Sequence, residues 1–238
     1  MLAVLSDIHG NLSALEAVIA DARSRGATGF VNLGDSLSGP LWPVETADLL
    51  IALNWPTIAG NHERQLLTLS PNRMNASDRF TRERLSDAHL AWLAAQPETL
   101  DLGAILLCHG TPRSDVEPLL QTVDPTGIRN ATDAEIAERL GDTAAPLTLC
   151  GHSHLPRTAT LADGRTVANP GSVGLQAFLD DHPISYAVEN GDPLARYSLV
   201  DNLTVTLRTV AYDHAAAAAK AEKEGRQDWA TALSTGRN

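Results

Sequence analysis

The stretch Leu2-Ala3-Val4-Leu5-Ser6-Asp7-Ile8-His9-Gly10-Asn11 decides how the chain is read. Leu2 to Leu5 is an uninterrupted apolar run of strand length, and it ends in a polar turn carrying a carboxylate and an imidazole. Beyond the turn, Leu12, Leu15, Val18, Ile19 and Ala22 recur at helical spacing and stop at Gly26, a C-terminal capping residue. Phe30 to Leu33 reads as a second strand, Val44 to Leu53 as a helix, and Pro56 to Ala59 as a short third strand. This alternation predicts strand-helix-strand units and a largely parallel sheet.

Working outward, Leu66, Leu67 and Leu69, then Leu90, Trp92 and Leu93, keep helical spacing, with Ser86 as the N-cap of the second piece. Ile105 to Leu107 and Leu147 to Leu149 are further buried strands, and Thr132 with Glu135 forms a capping box for a helix running to Leu140. After Gly151 the pattern changes. Arg157 to Leu161 and Arg165 to Ala168 flank Asp163-Gly164, a hairpin signal, and Tyr197 to Val200 and Thr204 to Val210 flank Asp201-Asn202 in the same way. A helix-prone segment from His214 to Glu224 covers one face. The expectation is one domain over residues 1–238, built of two packed sheets with helices outside and a helical tail from about 213 to 238.

Composition removes several classes of function. The 238 residues carry 18 Lys+Arg against 29 Asp+Glu, a formal charge of −11, which disfavours any extended nucleic-acid track. No apolar run has the length of a membrane span, and the first residues lack the basic leader of a signal peptide. Two cysteines make no disulfide framework. These features predict an acidic cytoplasmic protein; they leave its oligomeric state open.

The chemistry gathers where the apolar runs end. Five of the eight histidines, His9, His62, His109, His152 and His154, stand in short polar turns directly after strand-like segments. Such ends are where open α/β sheets place their sites. An Asp-x-His carries little information alone. A Gly-Asn-His is expected by chance roughly 0.03 times and a Gly-His-x-His roughly 0.02 times in this composition, so Gly60-Asn61-His62 and Gly151-His152-Ser153-His154 together are not accidental. Imidazole, carboxylate and amide oxygen form a mixed donor set suited to Mn, Fe, Co, Ni or Zn.

The order Ser6-Asp7-Ile8-His9-Gly10-Asn11, Gly34-Asp35, Gly60-Asn61-His62-Glu63, His109-Gly110 and Gly151-His152-Ser153-His154 resembles the calcineurin-like metallophosphoesterase superfamily. Gly39-Pro40 and Asn169-Pro170-Gly171-Ser172-Val173-Gly174 resemble its small bacterial and archaeal phosphodiesterase branch. The resemblance runs from Met1 to about Val210 and implies a four-layer α/β/β/α sandwich of two mixed sheets flanked by helices. It also implies two divalent metal ions, Mn²⁺ favoured and Fe, Ni, Co or Zn alternatives. By the same resemblance, Asp7, His9, Asp35 and His154 would hold one ion, and Asp35, Asn61, His109 and His152 the other. His62 would protonate the leaving oxygen while a metal-bridging hydroxide attacks phosphorus in line. The implied activity is hydrolysis of small phosphodiesters or nucleotides. A phosphomonoesterase, or a hydrolase of dinucleoside polyphosphates, would use the same residues. The complete ligand set with His62 speaks against a non-catalytic metal-binding scaffold.

The chain departs from that branch at Leu175 to Asn190, which separates Gly174 from Gly191-Asp192-Pro193. The segment reads as a longer surface loop, with a substrate-side lid as the alternative. The Gly34-Asp35 turn lacks the Asp-Arg-Gly continuation of the protein phosphatases. Elsewhere, His89 and His214 read as solvated, Cys108 and Cys150 as small buried apolar residues, Arg64 and Arg113 as either meeting a substrate phosphate or pairing at the surface, and Trp42, Trp55, Trp92 and Trp229 as packing residues.

Overall fold

The computed structural model describes all 238 residues. The chain begins with β1 (Leu2–Leu5), α1 (Leu12–Ser24), β2 (Gly29–Asn32) and α2 (Pro43–Leu53). Four further helices and four strands follow: α3 (Asn61–Thr68), α4 (Ala76–Arg82), α5 (Asp87–Ala94), β3 (Thr99–Asp101), β4 (Ile105–Cys108) and, past a hairpin of β5 (Gln121–Asp124) and β6 (Gly127–Asn130), α6 (Asp133–Leu140). The remainder is β7 (Leu147–Leu149), β8 (Arg157–Thr160), β9 (Thr166–Asn169), β10 (Ala177–Asp180), β11 (Tyr186–Glu189), β12 (Ala195–Asp201), β13 (Thr204–Val210), α7 (His214–Lys223) and α8 (Gln227–Thr235).

Two mixed sheets form the body, in the orders β13-β12-β1-β2 and β3-β4-β7-β9-β8. Val4, Val31, Leu33 and Val200 of the first meet Leu107, Leu147, Leu149 and Ala168 of the second in a fully apolar layer. Helix α1 buries Ala14, Leu15, Val18 and Ile19 against Ala3, Leu5, Ala195 and Tyr197 on the outer face of the first sheet. On the far side, Ile136 and Leu140 of α6 pack on Cys108, Cys150 and Val167. The layers therefore run helix, sheet, sheet, helix, as the sequence predicts. Transferring apolar surface from water into these layers supplies the main drive for the architecture. No helix is long and apolar enough to cross a membrane.

Several local expectations hold in detail. Ser86 and Thr132 cap their helices through the backbone N–H groups of His89 and Glu135. Both hairpins form, β8–β9 and β12–β13. Three readings need correction. Pro56 to Ala59 makes no strand; it contributes a single bridge between Asn32 and Thr57, since only one residue reaches the sheet edge. His89 is buried, because its ring accepts from Ser86 N–H and bonds Asp48 at 3.0 Å. Segment 175–190 is no loose loop but the hairpin β10–β11, with Leu175 and Ala177 buried against α8.

Register carries the site. Strand β1 runs parallel to β2 with Leu5 opposite Asn32, so the turns at Asp7 and Asp35 leave the sheet side by side. Strand β4 runs parallel to β7 with Leu107 opposite Leu149, which brings His109 beside Gly151-His152. The two sheets then present these turns at one shared edge, stitched by Gly174 N–H to the Asp7 carbonyl and Gly151 N–H to the His109 carbonyl.

Candidate metal centre

Asp7, His9, Asp35, His152 and His154 all have φ between 53° and 66°, the left-handed region that L-residues seldom occupy. Five of the eight non-glycine residues with such backbone are therefore at this one edge. Strain of this kind costs roughly 1–3 kcal/mol per residue and persists where surrounding structure enforces it. Here the enforcement is visible: Asp7 N–H donates to the Gly34 carbonyl at 3.0 Å, and His9 N–H to the Asp35 carbonyl at 2.9 Å. Glu63, almost fully buried, accepts the N–H groups of Asp35, Ser36 and Gly60, each at 2.8 Å. One carboxylate thus clamps the Asp35 turn to the start of α3, where Asn61 and His62 stand.

The side chains converge in two groups, Asp7, His9 and His154, and Asp35, His109 and His152, each with one potential ligand atom per residue inside a 4.8 Å span. Asp7 Oδ1 lies 3.4 Å from His154 Nε2 and 3.9 Å from His109 Nε2, so the groups adjoin. His109 Nε2 is 3.1 Å from Asp35 Oδ2, and Asn61 Oδ1 sits 3.2 Å from His109 Nε2 and 3.0 Å from His152 Nδ1. Every residue expected to hold metal is present at this edge. His62 lies above them, its ring 5.4 Å from that of His9 and one-fifth exposed.

The donor chemistry fits a cation. His9, His109 and His154 each direct Nδ1 at a backbone carbonyl, of Ser38, Leu33 and Leu175, at 2.7–2.8 Å. That contact takes the Nδ1 proton and leaves Nε2 as the inward nitrogen. His9 Nε2 and His154 Nε2 then face each other at 3.1 Å. Burial, with His154 adding to it, pushes His9 down to about 4, so at neutral pH its single N–H is spent on Ser38. Two ring nitrogens turned on one another in this way call for a positive centre between or beside them. Asp7 Oδ2 is buried with no hydrogen-bond partner.

The protonation pattern agrees. Burial works against charge on Asp35, yet His109 and His62 hold its carboxyl well below the ordinary carboxylate range. Burial likewise opposes charge on His109, but Asp35 and Asp7 push it up to about 10. His152 falls to about 4 through burial and the charge of His109. Two anionic carboxylates, flanked by the neutral imidazoles of His9 and His152 and holding a proton on His109, form a cavity that attracts positive charge.

Some contributors lay outside the sequence reading. Phe178 of β10 meets the His154 ring at 4.7 Å, and Trp229 of α8 meets His9 edge-on at 5.9 Å. Asp78 of α4 bonds His62 Nδ1 at 2.7 Å. No local signal marks Asp78; Asn75 three residues earlier announces only a helix start. Of the two readings open for Arg64 and Arg113, the structure shows surface pairing, with Asp115 and Glu138. Cys108 and Cys150 are buried free thiols, as the sequence predicts.

A two-sheet α/β sandwich that gathers histidines, aspartates and an asparagine at one sheet edge defines the class of metallophosphoesterases. Residues 1–190 match the model of the calcineurin-like phosphoesterase superfamily domain, and the chain belongs to that superfamily, whose members hydrolyse phosphoester bonds. Over its whole length it is similar to a metallophosphoesterase from Sphaerobacter thermophilus, with 25% identity, 99% of each chain covered and a TM-score of 0.79. A hypothetical protein from Pyrococcus horikoshii shares the fold at 20% identity, 99% coverage of each chain and a TM-score of 0.76. An uncharacterized protein of Methanocaldococcus jannaschii is 27% identical over 197 residues, covering 73% of this chain and 76% of its own.

Proposed function

We propose that this phosphoesterase acts on small phosphodiester or nucleotide substrates, as one domain over residues 1–238, with two divalent ions at the edge shared by its sheets. Asp7, His9, Asp35 and His154 would hold one ion, and Asp35, Asn61, His109 and His152 the other. The observation that carries this reading is the pair of inward ring nitrogens, His9 Nε2 and His154 Nε2, 3.1 Å apart beside an unpartnered Asp7 oxygen. Mixed nitrogen and oxygen donors suit Mn²⁺ as well as Fe, Co, Ni or Zn. Such ions, when bound, acidify water and take up charge on the phosphoryl oxygens.

The chain's own residues supply the rest. The backbone carbonyls of Ser38, Leu33 and Leu175 aim the three imidazoles and fix which nitrogen faces inward. Glu63 holds the Asp35 and Asn61 turns at a set separation through three N–H groups. His62 is the proton donor to the departing oxygen. Although burial disfavours its charge, Asp35 and Asp78 push it up to about 9, so it carries the proton at neutral pH. Preference for diesters rests on the resemblance to the phosphodiesterase branch, and the absence of the protein-phosphatase continuation after Asp35 supports a small substrate.

The test is turnover of a phosphodiester by the metal-loaded protein, lost in Asp35→Asn and His109→Ala while both variants stay folded by circular dichroism. Undiminished turnover in either variant would place the chemistry elsewhere.

A further inference from the structure

Asp78 is fully buried, yet its carboxylate serves no N–H of its own helix. Asn75 caps α4 by accepting the Asp78 N–H at 2.8 Å, which turns its amide nitrogen onto Asp78 Oδ2 at 3.0 Å. The other oxygen, Oδ1, receives Ser38 Oγ–H at 2.7 Å and lies 2.7 Å from His62 Nδ1. Burying a carboxylate costs several kcal/mol unless donors surround it. All its partners here present donors, so the position demands an acceptor on both oxygens. The turn from Gly34 to Gly39 brings no carboxylate to His62 except Asp35, whose Oδ1 takes the His62 backbone N–H at 2.9 Å.

Ser38 ties this arrangement to the metal centre. Its hydroxyl donates to Asp78, while its carbonyl takes the Nδ1 proton of His9 at 2.8 Å. The His62 ring is thereby fixed relative to the His9 ring, edge-on at 5.4 Å.

We propose that Asp78 is the positioning residue for His62: it takes the Nδ1–H of that imidazole, fixes the ring plane, and leaves Nε2 as the nitrogen that delivers a proton to the departing oxygen. No bond to substrate is made by Asp78 itself. The proposal rests on the reading of His62 as proton donor and adds the residue that makes this donation directional.

A proton donor matters most when the leaving group is a poor one. Two Mn²⁺-loaded diester assays therefore separate positioning from general structural support: bis(p-nitrophenyl) phosphate, whose nitrophenolate departs readily, and diphenyl phosphate, whose phenolate is more basic. Asp78→Asn sets an amide N–H against a donor, and we expect kcat on diphenyl phosphate to fall about 10- to 100-fold, the usual cost of losing such a supporting partner. KM and metal content should stay unchanged, and the loss on the nitrophenyl ester should be several-fold smaller. Adding Asp78→Asn to His62→Ala should cost almost nothing more, because the two act as one unit. Equal losses on both esters, or additive losses in the double variant, would overturn the proposal.

Nitrogen-15 NMR of the Zn²⁺-loaded wild-type protein tests the pairing without turnover and without a variant. The expected result is a His62 Nδ1–H that exchanges slowly with water; a His62 ring lacking that proton, or exchanging it freely, would overturn the proposal. If the wild type hydrolyses neither diester, the functional reading fails on its own, and the imidazole spectrum still decides whether Asp78 fixes His62.

Discussion

At the scale of single residues, the centre is built by backbone that folds against its own preference. Asp7, His9, Asp35, His152 and His154 accept left-handed φ values, and neighbouring segments take the N–H groups of Asp7, His9, Asp35 and His152. Gly60 shows how little space remains. A Cβ at that position would lie 2.8 Å from both the Asp35 nitrogen and His109 Cε1. Gly60→Ala should therefore push the Asp35 turn outward and weaken metal binding by about 10- to 100-fold, as displaced supporting groups do. Metal titration by calorimetry checks this, with near-native affinity as the contrary result. The residue types of the candidate ligand set are legible in the sequence, because motif spacing survives without an alignment. Left-handed backbone leaves no such trace in Asp, His or Asn. Asp78 was invisible for a related reason: its partner is 16 positions away and belongs to another helix.

At the scale of elements, the C-terminal helices do more than cover a face. Arg226, the N-cap residue of α8, reaches Ser77 of α4 at 2.9 Å, and Trp229 one turn later rests against His9. This tail thus braces both the helix that carries Asp78 and a candidate metal ligand. Trp229 is 6% exposed, and Trp229→Ala should cost about 3–5 kcal/mol, the range for emptying a buried aromatic site. Urea unfolding at neutral pH measures it, and a cost below about 1 kcal/mol, the level of an ordinary surface substitution, would show the ring to be ornamental. Hydrophobic spacing and capping residues made α1, α5 and α6 readable. The hairpin β10–β11 was not, since Leu175 to Asn190 lacks a two-residue turn signal and owes its order to burial of Leu175 and Ala177 against α8. The sequence marks Trp229 as a packing residue, and the structure adds that it packs on His9 of the centre.

For the molecule as a whole, the two-sheet architecture was legible because strand-like runs and hairpin turns alternate at regular intervals. What the sequence left unstated is which loops meet, a consequence of parallel register between β1 and β2 and between β4 and β7. Global ionisation gives a further prediction. All three tyrosines have their phenols raised: burial and Asp180 raise Tyr186, burial with the bond to Asp21 pushes Tyr197 up to about 12, and burial pushes Tyr212 up to about 12. In the unfolded chain a tyrosine ionises near about pH 10. The folded state therefore binds more protons between pH 10 and 12, and stability is complete below that window and lost as pH rises through it. Urea midpoints that stay constant from pH 9 to 12 would refute this linkage. Metal-dependent diester hydrolysis is tested most directly by turnover of bis(p-nitrophenyl) phosphate beside p-nitrophenyl phosphate, after loading with Mn²⁺ and again after EDTA. Cleavage of the diester is expected to need Mn²⁺, to exceed cleavage of the monoester and to vanish with the chelator. Cleavage that survives EDTA, or is confined to the monoester, would contradict the proposed function.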